Sequence, residues 1–137
     1  MSYLIDTNVL SELRKGARCD ARVARWFGGL PSDDIYLSVL AVGEIRRGVE
    51  RIRQRDSRSA RVLEAWLRSL LVEHSDRILP IDQAIADEWG RLNVPDPIPV
   101  IDGLMAATAR VHGLTLATRN TKDIKRTGVA WIDPFAA

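Results

Sequence analysis

Short apolar runs separated by amphipathic segments set the pattern of this chain. Tyr3-Leu4-Ile5 is the first such run; it ends on Asp6, after which Val9, Leu10 and Leu13 recur at helical spacing until Lys15-Gly16 supplies a stop. Asp20 stands where it can cap a helix over Ala21 to Phe27, closed by Gly28-Gly29 and Pro31. Ile35-Tyr36-Leu37 reads as a buried strand. Ser38 caps the next helix, whose apolar face is Leu40, Ile45, Val49 and Ile52. A further helix runs from about Ser57 to Val72, and its leucines and Trp66 pair it with the preceding one as an antiparallel hairpin, Arg51 to Arg58 forming the tip.

The second half repeats the alternation. Arg77 to Ile81 is a weak strand, and Asp82 is placed to cap a helix over Ala84 to Leu92. Pro95-Asp96-Pro97-Ile98-Pro99 can be neither helix nor central strand, because its prolines lack the donors both require. It reads as a rigid loop leading to Asp102, which opens a helix of small residues closed by Gly113. Leu114 to Thr118 is the clearest strand, and Val129 to Ile132 the last. Strands alternating with helices predict an α/β fold in three layers, α/β/α, with a central, mostly parallel sheet and a protruding helical hairpin. The 137 residues predict a single domain, 1–137.

Composition narrows the function classes. Hydrophobic residues are 46% and charged residues 28%, ordinary for a folded soluble chain. No apolar run approaches the roughly 18 residues needed to span a bilayer and no secretory pattern is visible, so the expectation is a cytoplasmic protein without a membrane partner. Cys19 is the only cysteine, which excludes an intrachain disulfide and a cysteine-held metal. Lys and Arg exceed Asp and Glu by only 20 to 18, yet seven arginines fall between Arg46 and Arg61. Such a run is first a solvated helix face; it becomes a phosphate-binding surface if an acidic metal site lies near.

Acids recur at equivalent places. Asp6 ends the first strand, Glu44 lies about two turns into the helix after the second, Asp102 opens the small-residue helix, and Asp123 follows the clear strand. In a parallel sheet all face the carboxyl rim, where α/β folds bind ligands. Singly, each has a plain explanation: Asp6 and Asp102 as helix caps, Glu44 paired with Arg47, Asp123 solvated. Jointly they require a cation, since close like charges repel. Magnesium takes hard oxygen ligands together with substrate phosphate, and phosphodiester cleavage is the chemistry such a set serves.

With those residues assembled, the chain resembles the PIN-domain ribonucleases, and within them the VapC toxins of toxin–antitoxin pairs, especially their FitB-like branch. The resemblance is carried by Tyr3 to Leu13 (YLIDTNVLSEL), Leu37 to Gly48 (LSVLAVGEIRRG), Ile101 to Ala109 (IDGLMAATA) and His112 to Asn120 (HGLTLATRN) through Asp123. Gly128-Val129 and Asp133 to Phe135 complete it. It implies a Mg2+- or Mn2+-dependent endoribonuclease with catalytic acids Asp6, Glu44, Asp102 and Asp123, of which Asp6, Asp102 and Glu44 hold metal. Many relatives carry an aspartate where this chain has Asn120, so the fourth role falls to Asn120 or Asp123. Thr7, Asn8, Ser38, Arg119 and Asn120 are implied as polar positions that orient ligand or RNA substrate. The resemblance further implies a VapB-like antitoxin lying along the Trp66 hairpin, a homodimer, a larger toxin–antitoxin assembly, and operator DNA reached only through the antitoxin.

Two other classes compete. One is a PIN-fold RNA- or protein-binding module without hydrolysis. The other is a Mg2+-dependent phosphotransfer enzyme with a carboxylate nucleophile; haloacid-dehalogenase-like members need a second aspartate where Asn8 stands, and receiver domains a lysine where Thr118-Arg119 stands.

Overall fold

The computed structural model describes residues 1–136. Five strands form one sheet: β1 (Tyr3–Ile5), β2 (Ile35–Ser38), β3 (Ile78–Leu79), β4 (Thr115–Ala117) and β5 (Trp131–Ile132). Their order is β3-β2-β1-β4-β5, and every pairing is parallel. The mostly parallel sheet read from the alternation is thus wholly parallel among the described residues. Each strand is followed by a crossover rather than a hairpin, and parallel pairing is what a crossover delivers.

The helices are α1 (Thr7–Leu13), α2 (Ala21–Gly28), α3 (Val39–Arg53), α4 (Ser57–Glu73), α5 (Gln83–Leu92) and α6 (Val100–His112). Local chemistry explains their ends. Asp20 accepts from the N–H groups of Arg22 and Val23, Ser38 from that of Leu40, and Asp82 from that of Ile85. Gly113 ends α6 in the left-handed region at φ 66°, where a Cβ would strain the chain.

One boundary differs from expectation. Helix α6 begins at Val100, so Asp102 lies in its first turn and does not cap it. The prolines explain the shift: the helix starts directly after Pro99, whose carbonyl accepts the first helical bond from the Gly103 N–H at 2.9 Å. Gly103 also allows close packing, because a Cβ there would stand 3.1 Å from the Trp89 ring of α5. The depth of Asp102 at the rim is therefore set by an α5–α6 contact.

Leu4, Ile5, Leu37 and Leu116 of the sheet are fully buried, packed with Val9, Leu10 and Met105 from the helices. Burying an aliphatic side chain of this size stabilises by roughly 1.5–3 kcal/mol. The α3–α4 hairpin has a small separate cluster of Val49, Ala60 and Leu63 toward its tip, and so stands out from the main core.

Candidate active site

Strand register brings the site together. Ile5 pairs with Ala117 in β4, and β1 pairs in parallel with β2 from Tyr3 opposite Ile35. One step further along, Asp6, Ser38 and Thr118 stand at the same level on three adjacent strands. The sheet order reverses between β1 and β4, whose carboxyl ends form the crevice that such folds use for ligands.

Asp6 is 6% exposed. One of its oxygens accepts from the Thr7 N–H at 2.7 Å, and the other accepts from the Thr118 hydroxyl at 2.7 Å and, more weakly, from the Asn8 amide at 3.5 Å. Burial pushes its carboxyl above the usual range against those hydrogen bonds, and the negative charges of Asp102 and Glu44 push the same way. Asp6 is both the N-cap of α1 and an acid under electrostatic pressure, so the two readings of it coexist.

Glu44, half-buried on α3, accepts from the Thr7 hydroxyl at 2.6 Å. Its expected alternative partner, Arg47, lines a shallow concavity with Glu44 yet forms no ion pair among the described residues, so the helix-pair explanation is corrected. Asp102 accepts from the Asn120 amide at 2.8 Å. Burial first, then the charges of Asp123 and Glu44, hold the Asp102 carboxyl above its ordinary range, while Asn120 opposes them. Asp123 stands 3.7 Å from Arg126, which also lies 3.6 Å from Asp96.

Asn120 and Asp123 therefore occupy different situations. Asn120 touches Asp102 directly, whereas Asp123 acts on it through space and is itself partly matched by a cation. Ser38 is wholly buried and spends its hydroxyl on the start of α3. Arg119 is exposed, its N–H donating to the Asn8 side chain at 3.2 Å and its guanidinium lying 4.4 Å above the Phe135 ring.

Thr118 is the residue that sequence reading passed over. Its hydroxyl donates to Asp6 and accepts from the Asn120 N–H at 3.1 Å and the Asn8 amide at 3.3 Å, so it joins three site residues. The available signal was its position: a threonine ending a strand at the rim where Asp6 ends another.

The donor set is all oxygen, clustered where burial and like charge disfavour ionisation, which is the environment a hard divalent cation relieves. Among the described residues no group of three or more acids, histidines and cysteines is arranged so that it could hold a metal ion by itself.

From Thr7 and Glu44 a groove runs out along α1, α3 and α4 past Arg14, Ile52, Leu63 and Trp66. A second concavity, which shares Trp66 with the first, is lined by Leu10, Leu13, Phe27, Leu70 and His74. Trp66 is half-buried between the two stretches, both core and groove wall.

A family model for the PIN domain matches residues 3–130. The chain belongs to the PIN-domain family. This PIN domain is 35% identical to the toxin FitB of Neisseria gonorrhoeae over 96% of the chain and 97% of that protein. It is 32% identical to the VapC ribonuclease Y4jK of Sinorhizobium fredii over 96% of each. Its fold superimposes on the crystal structure of FitAcB from Neisseria gonorrhoeae with a TM-score of 0.91 at 34% identity, over 98% of this chain and 99% of that one. FitAB bound to an IR36 DNA fragment matches with a TM-score of 0.88 at 33% identity, over 97% of this chain and 95% of that one. Among the described residues no helix is long and apolar enough to cross a membrane.

Proposed function

We propose that this PIN domain is the toxin of a toxin–antitoxin pair and acts as a divalent-metal-dependent endoribonuclease. The observation that carries this reading is Asp6: a buried carboxylate, locked by Thr118 and Thr7, electrostatically loaded by Asp102 and Glu44 at the switch point of the sheet. The ribonuclease Y4jK and the toxin FitB, each similar over nearly the whole chain, supply the reaction class and the biological setting.

Asp6 and Asp102 would hold Mg2+ or Mn2+, with Glu44 touching it directly or through water. A divalent cation there supplies a polarised water and a Lewis acid for the scissile phosphate. The chain's own residues do the orienting. Thr7 holds Glu44 with its hydroxyl and Asp6 with its N–H, Thr118 fixes the second Asp6 oxygen, and Asn120 fixes Asp102. Held carboxylates lose little freedom when they bind, which is the advantage of a preorganised site.

The antitoxin in this proposal lies in the Trp66 groove, whose inner end opens beside Glu44. A peptide filling it would cover apolar surface along α1 and α4 and could bring a basic group to the acids. The assembly we propose is a toxin dimer carrying antitoxin, with operator DNA contacted through the antitoxin; the FitAB structure on a DNA fragment supports that arrangement.

The test is cleavage of RNA by purified protein with Mg2+, with Mn2+ and with chelator, beside Asp6→Asn. The expected outcome is cutting only with metal, lost in Asp6→Asn while circular dichroism stays unchanged. Equal cutting by both proteins would mean a contaminating nuclease, and RNA binding without cutting would favour the non-hydrolytic module.

A further inference from the structure

An acidic rim repels the substrate the proposed function needs, because RNA brings one negative charge per nucleotide. A cation of the chain near Asp6 and Asp102 would offset part of that repulsion beside the metal; Arg14 and Arg47 line concavities with Glu44, and Arg119 stands at the end of β4. Arg119 lies between Thr118, bonded to Asp6, and Asn120, bonded to Asp102, with its own N–H fixed on Asn8. Both of its chain neighbours are bonded to acids, yet among the described residues Arg119 makes no ion pair. Its guanidinium instead lies 4.4 Å above the ring centroid of Phe135.

Phe135 is brought there by the last strand. Register pairs Ala117 with Ile132, and the Thr118 N–H donates to the Ile132 carbonyl at 3.0 Å, so the chain leaving β5 passes beside the chain leaving β4. Asp133 then turns it, its carboxylate accepting from the Phe135 N–H at 2.9 Å. The ring is 8% exposed and belongs to the main core, which makes it a fixed shelf.

We propose that Arg119 grips an RNA phosphate next to the scissile bond and that Phe135 is its positioning residue, an aromatic shelf that keeps the guanidinium off the neighbouring acids and edge-on to the substrate. The inference rests on the endoribonuclease reading above. A guanidinium stacked by its face keeps the N–H edges of its planar fork free for a phosphate. Stacking also removes rotamer freedom before binding, so less is lost when substrate arrives. A lysine would keep the charge and lose both features.

Steady-state cleavage and equilibrium binding of a labelled mixed-sequence single-stranded RNA test this, binding being measured in the Asp6→Asn background so that substrate stays uncut. Arg119→Gln is expected to raise KM about tenfold with a smaller change in kcat. It should also lower the slope of log affinity against log salt by about 0.7, the share of one phosphate contact to a single strand. Phe135→Leu should raise KM by a few fold, Phe135→Tyr should restore it, and Arg119→Gln with Phe135→Leu should be no worse than Arg119→Gln alone. A wild-type KM and salt slope in Arg119→Gln would overturn the proposal, as would Phe135→Tyr being as impaired as Phe135→Leu. Should Phe135→Leu fail to fold, the Arg119→Gln slope and the Phe135→Tyr kinetics still decide. Absence of any metal-dependent cutting by the wild type would sink the endoribonuclease reading itself, a different result from intact cutting that ignores Arg119.

Discussion

The rim of the sheet and the α3–α4 hairpin are both crowded with charge, but only on the hairpin do acids meet basic partners closely. On the hairpin, Arg46 and Arg53 share Glu50 and Glu64 in an exposed network built from residues three, four, eleven and eighteen positions apart. At the rim, Asp6, Glu44 and Asp102 meet no basic side chain within ion-pair distance among the described residues, and only Asp123 has a cation near it, at 3.7 Å. Exposed pairs of the hairpin kind are screened by solvent, and their loss would matter little to stability. Buried like charges are a liability that folding tolerates when a ligand later offsets it. The contrast separates a surface where Glu50 and Glu64 are matched by arginines from a site where Asp6, Glu44 and Asp102 are not.

The largest break in that contrast is expected from the rim's least conspicuous member. Thr118→Val removes the hydroxyl that orients Asp6 while keeping the branched shape of the strand end. Loss of a group that orients a metal ligand typically costs about 10–100-fold in metal affinity or activity. RNA cleavage titrated against Mg2+ should show it, and a wild-type metal dependence would demote the Thr118–Asp6 bond to packing.

A second effect runs the other way, toward stability. Burial holds the Asp6 and Asp102 carboxyls above their unfolded values, so the folded state takes up protons more readily than the unfolded chain. The cost of ionising them is absent below the unfolded pKa and grows as pH rises through the folded one. In metal-free buffer at neutral pH, Asp6→Asn should therefore melt above wild type. The gap should close as pH falls toward about 4. Added Mn2+ should raise the wild-type melting temperature and leave that of Asp6→Asn nearly unmoved. A variant that melts below wild type at neutral pH would show that the Asp6 hydrogen bonds outweigh its burial.

The smallest effect belongs to the hairpin. Arg51 and Arg55 form no ion pairs among the described residues, whereas Arg53 is committed to Glu50 and Glu64. Arg51→Gln with Arg55→Gln should reduce the salt dependence of RNA binding by at most the share of two phosphates and leave melting within about 0.5 kcal/mol of wild type. Breaking the Arg46 and Glu64 pair should leave both the melting temperature and RNA binding nearly unchanged. An unaltered salt slope in the first variant would return the whole tip to a solvated face.

Much of the frame was legible before any coordinates. Asp6, Glu44 and Asp102 could be selected because Asp6 ends a strand, Glu44 lies two turns into the helix that follows one, and Asp102 opens the helix that leads into β4, and a parallel sheet brings such positions to one rim. Asn120 and Asp123 could not be separated that way. Both lie in the polar turn after β4, and only the direction of that turn puts the Asn120 amide on Asp102 and leaves Asp123 beside Arg126. Thr118 went unread for a related reason: a threonine closing a strand is common, and its partner Asp6 lies 112 positions away.

What the sequence determined by itself is whatever acts within a turn or two of chain. Caps at Asp20, Ser38 and Asp82 reach only two or three residues ahead, the left-handed glycine at 113 acts on its own backbone, and apolar spacing marks which helix face is buried. Tertiary structure decided what depends on register and approach between distant elements. It made the sheet wholly parallel, sank Asp102 to the depth that Trp89 and Gly103 allow, and laid Arg119 on Phe135 across the ends of β4 and β5. Local bonds have few competitors and can be read one at a time, whereas long-range contacts form only when loop-closure entropy is offset by many of them together.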